Sequence, residues 1–196
     1  MASSIDGLAD DELVTSVEPD RLARLIHPAA PRQRLSEAEL LRLVAEVCDQ
    51  VAIERPTPGS IDGRRYIRLF RTETVEAWII AWASSAYVGL HDHGDSRGAY
   101  QVVTGRLREV STDLIGRGPL TTLRLRPGMR RSLTPRHVHD LWNPSRQPAL
   151  SVHVYSPPLR TMNFYSDEPS SYLAKLRTET EVEWLDPDRW AERAVG

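Results

Sequence analysis

Two histidines separated by one residue, His91 and His93, follow an apolar run and precede a glycine-marked turn. On a β-strand, the side chains of residues i and i+2 point to the same face. Both imidazoles would then converge on one point, as two ligands of a transition metal must. The alternative is a pair of exposed loop histidines, or one core and one surface histidine, which the motif alone does not exclude.

A second pair, His137 and His139, lies downstream and is followed by Asn143. It offers a third imidazole, although the two-residue spacing puts both histidines on one face and does not select between them. Three neutral imidazoles leave the charge of a divalent ion uncompensated. Such a centre favours an anionic chelating substrate, for example a thiolate with a neighbouring amine, and leaves room for O2.

Another set of polar side chains lies on a later apolar stretch. Strand alternation puts Ser151, His153 and Tyr155 on one face, with Val152 and Val154 on the other. A serine that orients an imidazole, which in turn bonds a phenol, would form a hydrogen-bond relay. A strand that exposes one polar face to solvent would show the same alternation.

Helical patterns precede the strands that must position these groups. A stripe of apolar residues over 11–26, interrupted near Pro19, predicts one helix, and a second begins at Ser36. Ser36 and Glu39 form a capping box, in which each side chain satisfies a backbone N–H of the other residue. The second helix carries an apolar stripe at helical spacing, formed by Leu40, Leu41, Val44, Val47 and Val51.

Short apolar or alternating segments follow, separated by turn residues, and predict an antiparallel sandwich or barrel. The predicted strands are Arg64–Arg71, Val75–Ala83, Ala99–Thr104, Leu107–Thr112, Thr121–Leu125 and Leu150–Tyr155. Beyond residue 167 we expect a short helical piece at 172–176 and an edge strand at 181–185. The expected organisation is an N-terminal helical segment over 1–55, a β domain over 56–166 and an extension over 167–196.

The composition of the 196 residues, 40% hydrophobic and 27% charged, is typical of a globular domain. A net charge of -2 favours neither nucleic acid nor an anionic membrane. No apolar run approaches the roughly 20 residues of a membrane span, so we expect a cytoplasmic protein, and a monomer. The single cysteine, Cys48, excludes an intramolecular disulfide and is expected to be a buried helix residue rather than a nucleophile.

Together these motifs resemble the thiol dioxygenases of the cysteine dioxygenase type, within the cupin superfamily. The stretch from His91 to Ser96 is similar to the family's His-x-His-x-x-Ser, and the segment 103–109 to its closing segment. The segment 151–158 is similar to a Ser-x-His-x-Tyr strand that runs into Ser-Pro-Pro, where the family has a cis Ser-Pro bond. The resemblance covers roughly Tyr66 to Tyr165.

The resemblance implies an all-β fold, a single cupin (small jelly-roll) barrel with N-terminal helices packed outside. It also implies an Fe(2+) site held by His91, His93 and His139, because the spacing to Asn143 favours His139 over His137. Tyr155 would be the active-site phenol, supported by His153 and Ser151. Arg68, which shares a strand face with Tyr66, would hold the substrate carboxylate through its planar guanidinium fork.

Two departures from related proteins fall beside the first motif. Arg97 and Gly98 stand where most cupins have a ligand glutamate, and Gly98 also stands where mammalian members have a cysteine that crosslinks to the tyrosine. The resemblance therefore predicts an uncrosslinked three-histidine iron site that oxidises L-cysteine to cysteine sulfinic acid with O2. A glutamine in place of Arg68 is typical of related enzymes that use 3-mercaptopropionate, which is the first alternative substrate. A metal-binding cupin without catalysis, such as a sensor or binding module, is the alternative of another class.

Overall fold

The computed structural model describes residues 14–17, 34–53, 63–112, 119–135, 137–166 and 175–180. Within these ranges the chain forms one helix, α1 (Glu37–Gln50), and thirteen strands. The first seven strands are β1 (Val14–Val17), β2 (Val51–Ile53), β3 (Arg64–Arg71), β4 (Glu76–Trp82), β5 (His91–Asp92), β6 (Arg97–Thr104) and β7 (Leu107–Thr112). The others are β8 (Thr121–Leu125), β9 (Arg130–Leu133), β10 (Val138–Trp142), β11 (Ala149–Ser156), β12 (Thr161–Tyr165) and β13 (Lys175–Thr180).

Two antiparallel sheets dominate the structure. A five-stranded sheet has the order β3-β4-β11-β6-β9, and a six-stranded sheet has the order β13-β12-β5-β10-β7-β8. Strands β1 and β2 form a separate two-stranded pair. The prediction of a mostly β, antiparallel fold is therefore confirmed, while the described residues form two open sheets rather than a single closed one.

The five-stranded sheet is buried on both faces because a different layer covers each of them. Its inner face carries Trp78, Ile80 and Trp82 and packs in one apolar cluster with Leu107 and Leu141 of the other sheet. All seven residues of β4 are buried, as are all eight of β11. Burial on both faces explains why these strands read as nearly continuous apolar runs.

The outer face of the same sheet is covered by α1. Leu40, Val44 and Val47 of the helix pack against Ile79 and Val152 of the sheet. The predicted capping box is confirmed, since the Ser36 backbone N–H donates to Glu39 Oε2 at 2.7 Å and the Glu39 N–H donates to Ser36 Oγ at 3.3 Å. Each end of this box satisfies a donor that the first helical turn leaves open.

Three details of the predicted secondary structure are wrong. The segment Val14–Val17 lies inside the expected first helix but forms β1, paired with β2. Val51, assigned to the apolar stripe of the second helix, begins β2. The end of the expected helical piece at 172–176 belongs instead to β13, which pairs with β12. These segments gain their hydrogen bonds from distant partner strands, and such pairing overrides a local helical pattern.

Other expectations concern single residues or segments. Cys48 is partly buried on α1, and burial raises the pKa of its thiol to about 12, so it is a poor nucleophile at neutral pH. The edge strand expected at 181–185 lies outside the described residues. In the described part of the chain, no helix combines the length and apolar content needed to cross a bilayer.

Candidate active site

Three histidines converge where β5 meets β10 at the centre of the six-stranded sheet. His91 lies on β5 in register with His139 of β10, and His93 directly follows β5. The ring centroids are 4.7 Å apart for His91–His139, 4.9 Å for His91–His93 and 5.1 Å for His93–His139. One ring nitrogen of each histidine lies within 4.8 Å of one nitrogen of each of the others.

These imidazoles are buried and neutral. All three residues are at most 3% exposed. The pKa values of His91 and His93 lie well below the ordinary value, mainly because the rings are buried and secondly because the neighbouring histidines repel a positive charge. Burial also lowers the pKa of His139, although Glu109 opposes that shift. A neutral imidazole has one nitrogen with a free lone pair, which is the form that binds a metal.

The hydrogen bonds leave nitrogen atoms available for a metal. His91 Nδ1 donates to the Gly89 carbonyl oxygen at 2.8 Å, which leaves its Nε2 as the lone-pair atom. His139 Nε2 and His93 Nδ1 are buried and have no hydrogen-bond partner. Buried polar atoms without partners are costly, and coordination of a cation would satisfy them. The residues therefore fit a metal ion bound by imidazole nitrogens.

Asp92, between the two histidines, anchors their short strand. Its Oδ1 accepts hydrogen bonds from the Gly94 backbone N–H and from Asn163 Nδ2, both at 2.8 Å, and its Oδ2 accepts one from the Tyr165 hydroxyl. Gly94 has a φ of 57°, and a Cβ there would clash with Thr161 Oγ1. Both observations favour a glycine at this turn, which directly follows His93.

Strand β11 carries a continuous hydrogen-bonded relay on the inner face. Trp82 Nε1 lies 2.9 Å from Ser151 Oγ, which lies 2.8 Å from His153 Nε2. His153 Nδ1 lies 3.3 Å from the Tyr155 hydroxyl, which lies 3.4 Å from His93 Nε2. The alternation of β11 is thus a relay and not a solvated face, since the whole strand is buried.

Only the Trp82 end of this relay has a donor fixed by its chemistry. The indole N–H of Trp82 donates to Ser151 Oγ, and the Ser151 hydroxyl can either donate to His153 Nε2 or accept from it. Burial, followed by His139, lowers the pKa of His153 to about 3, so its ring is neutral and carries one proton. With that proton on Nδ1, the imidazole donates to the Tyr155 oxygen and the phenolic proton points towards His93; with it on Nε2, the phenol donates to His153 Nδ1.

Arg68 and Tyr66 lie on the inner-face side of β3. The Arg68 guanidinium carbon is 5.3 Å from the centroid of the Trp78 ring, and Tyr66 packs against the inner cluster. Arg68, Trp78 and His153 occupy one cross-strand row over β3, β4 and β11. Arg68 itself is exposed, so its guanidinium lies at the rim of the site rather than in its interior.

Gly98 lies directly beside the phenol. It is in register with Tyr155, and a Cβ at this position would lie 2.8 Å from Tyr155 Cδ1 and 3.1 Å from the Val154 carbonyl oxygen. The absence of a side chain at Gly98 therefore allows the ring to take its observed position. The Ser156–Pro157 peptide bond is cis, as the resemblance implied.

Two polar residues have roles that the sequence did not indicate. Glu109 is fully buried and accepts hydrogen bonds from both downstream histidines, with His139 Nδ1 at 2.9 Å and His137 Nε2 at 3.2 Å. Asn143, which follows the second histidine pair, binds main-chain groups: its side-chain amide donates to the Gln147 carbonyl oxygen at 2.8 Å. The only available signal for Glu109 was its place on the inward face of an alternating strand.

A two-sheet β fold with three buried imidazoles beside a tyrosine relay defines a candidate metalloprotein. The family model of cysteine dioxygenase type I matches residues 22–168, three quarters of the 196 residues. The chain therefore belongs to the cysteine dioxygenase type I family.

Several solved structures are similar to parts of this chain. A recombinant oxalate oxidase in complex with glycolate has a TM-score of 0.48 and 17% identity, covering 57% of this chain and 59% of its own. A cupin-superfamily sugar phosphate isomerase from Silicibacter pomeroyi has a TM-score of 0.45 and 20% identity, covering 64% and 88%. TT1209 from Thermus thermophilus has a TM-score of 0.43 and 22% identity, covering 48% and 84%.

Proposed function

We propose that this protein is an Fe(II)-dependent thiol dioxygenase that converts L-cysteine into cysteine sulfinic acid. The observation that carries the proposal is the junction of two groups of side chains. A cluster of three buried imidazoles lies beside a hydrogen-bonded serine–histidine–tyrosine relay, and the Tyr155 hydroxyl approaches His93 Nε2 at 3.4 Å. Family membership supports this reaction class, and these residues could supply the groups that it needs.

His91, His93 and His139 would hold the iron. The ion would supply thiolate coordination and activation of O2, chemistry that amino-acid side chains do not perform alone. The three neutral imidazoles add no negative charge, so the site favours an anionic ligand such as a thiolate. Burial of the three rings excludes water from this side of the site and strengthens such charge interactions.

The relay would fix Tyr155 as a hydrogen-bond donor towards the reacting groups. With Ser151 donating to His153 Nε2, the imidazole would donate from Nδ1 to the phenolic oxygen, and the phenolic proton would be available to substrate or oxygen on the side of His93. Burial raises the pKa of Tyr155 above its ordinary value, which keeps the phenol protonated. Tyr155 would thus orient ligands by donation and not act as a base.

Arg68 would bind the substrate carboxylate. A guanidinium can form two parallel hydrogen bonds to a carboxylate, which fixes both the position and the orientation of the substrate. Its row with Trp78 and His153 supports this role, because the row leads from the rim to the relay. With the carboxylate fixed at one end, the amine and the thiolate of cysteine would be presented to the imidazole cluster.

The proposed reaction needs no additional reductant. Sulfur loses four electrons as the thiol becomes a sulfinic acid, and O2 gains four as both of its atoms bond to sulfur. The protein's own contribution is therefore to position the reactants, supply a fixed hydrogen-bond donor and exclude water.

The decisive experiment measures O2 consumption by anaerobically Fe(II)-loaded protein with cysteine, 3-mercaptopropionate and cysteamine in parallel. We expect the highest kcat/KM with cysteine and one O2 consumed per sulfinate detected by mass spectrometry. Faster turnover of 3-mercaptopropionate would reassign the substrate. Iron binding without thiol-dependent O2 uptake would indicate a non-catalytic metal-binding protein and refute the enzymatic proposal.

The role of Arg68 has its own test. Arg68→Gln should lower kcat/KM for cysteine by about 10-fold or more, since a charged hydrogen-bonded pair contributes roughly 1.5–3 kcal/mol. Arg65→Gln is the matched control, because Arg65 is exposed on the same strand but points to the opposite face. Equal activity of the two variants with cysteine would show that the carboxylate is bound elsewhere.

A further inference from the structure

Glu109 is a fully buried carboxylate at the back of the imidazole cluster. It lies on β7, and β7 pairs with β10, the strand that carries His139. Its Oε1 accepts from His139 Nδ1 at 2.9 Å and from His137 Nε2 at 3.2 Å, and its Oε2 accepts from Arg131 Nε at 3.1 Å. A buried charge needs partners of this kind, and Glu109 has three.

The bond to His139 determines which of its nitrogens carries the proton. A carboxylate can only accept, so the nitrogen 2.9 Å away, Nδ1, must be the donor. In a neutral imidazole the other nitrogen, Nε2, then carries the lone pair. That atom is buried without a hydrogen-bond partner, on the ring that lies 4.7 Å from His91 and 5.1 Å from His93.

Glu109, His137 and His139 also form a cluster of their own, in which the potential ligand atoms lie within 4.8 Å of one another. The guanidinium of Arg131 argues against a second ion there, because it already neutralises Glu109 from 3.1 Å. A cation in the same place would face the charge of Arg131 and would have to displace the hydrogen bonds from both histidines. The arrangement instead holds the carboxylate in one position.

We propose that Glu109 is a positioning residue for the metal centre, which locks His139 in the tautomer and orientation that present Nε2 to His91 and His93. Arg131 and His137 hold Glu109 in place by hydrogen bonds, so His137 binds the Glu109 carboxylate and is not a metal ligand. The negative charge of Glu109 also makes His139 a stronger electron donor. This inference rests on the ligand set of the proposed function.

The test measures Co(II) binding by absorption spectroscopy, with no thiol present. We expect Glu109→Gln to raise the dissociation constant by about 10–100-fold while the folded state is retained, because loss of an outer partner typically costs that much affinity. His137→Leu is the matched control, since it removes the other hydrogen bond to Oε1 and leaves the His139 contact. Its dissociation constant should change by less than about 3-fold.

A second measurement needs no variant. Nitrogen-15 NMR of the metal-free wild-type protein should show His139 protonated on Nδ1, and this decides the matter if Glu109→Gln does not fold. Protonation on Nε2, an unchanged Co(II) dissociation constant in folded Glu109→Gln, or an equal loss of Co(II) affinity in His137→Leu would overturn the inference. Intact Glu109-dependent Co(II) binding without thiol oxidation would refute the enzymatic proposal and leave this one standing.

Discussion

Acidification of the metal-free protein should reveal the buried imidazole of His153 as a loss of stability. His153 is 2% exposed, and its pKa is lowered from 6.5 to about 3. Burial is the main cause of this shift, and the neighbouring His139 is the second. In the unfolded chain the same imidazole takes up a proton below about pH 6.5. The unfolded state thus binds more protons between these two pKa values, and stability falls as the pH falls through this window.

The size of the effect follows from the two pKa values. Between about pH 7.5 and about pH 5.5, one group whose pKa drops from 6.5 to about 3 on folding removes about 1.4 kcal/mol from the free energy of unfolding. The other buried histidines add to the total loss, so the contribution of His153 has to be isolated by substitution. His153→Gln removes the titrating group but keeps a polar side chain of similar reach.

The assay is urea denaturation of chelator-treated protein at both pH values. The wild type should lose about 1.4 kcal/mol more than His153→Gln. Tyr155→Phe is the matched control, because it breaks the relay but keeps the imidazole, and it should retain the wild-type pH dependence. Equal pH dependence in the wild type and His153→Gln, within about 0.3 kcal/mol, would refute the argument. NMR titration of the His153 ring gives an independent check, since the folded protein should keep it neutral at about pH 5.5.

Three further outcomes concern packing, the relay and the metal. Gly98→Ala should lower the free energy of unfolding by about 1–3 kcal/mol, because the new methyl group forces the Tyr155 ring aside, and by much less in a Tyr155→Leu background. Simple additivity of the two substitutions in a double-mutant cycle, measured by urea denaturation, would contradict the proposed clash. Trp82→Phe removes the hydrogen-bond donor to Ser151 and should lower the free energy of unfolding by about 1 kcal/mol. It should also lower kcat while the Co(II) affinity changes little; weakened Co(II) binding would instead place Trp82 at the metal site. Fe(II) at about 100 times its dissociation constant should raise the free energy of unfolding by about 2.7 kcal/mol, as judged by anaerobic thermal denaturation, and an equal rise in His91→Ala would place the metal elsewhere.

Local sequence patterns were informative wherever they depend on one strand or one turn. The capping box at Ser36 forms as predicted, because its two hydrogen bonds lie within one helical turn. The alternation of β11 placed Ser151, His153 and Tyr155 on one face, since side-chain direction in a strand repeats every two residues. The same rule put Tyr66 and Arg68 on one face of β3.

The sequence by itself thus determined the residues that carry chemistry and the strand faces on which they lie. Only the tertiary structure decided which of them meet: His139 stands in register with His91, while His137 reaches Glu109. The physical reason is that periodicity fixes the direction of a side chain within its own strand, whereas partner and register come from long-range pairing. The burial that makes the imidazoles neutral likewise arises only once the two sheets pack together. Burial raises the pKa of Glu109, and the hydrogen bonds from His137 and His139 that lower it and keep the group a carboxylate need the pairing of β7 with β10.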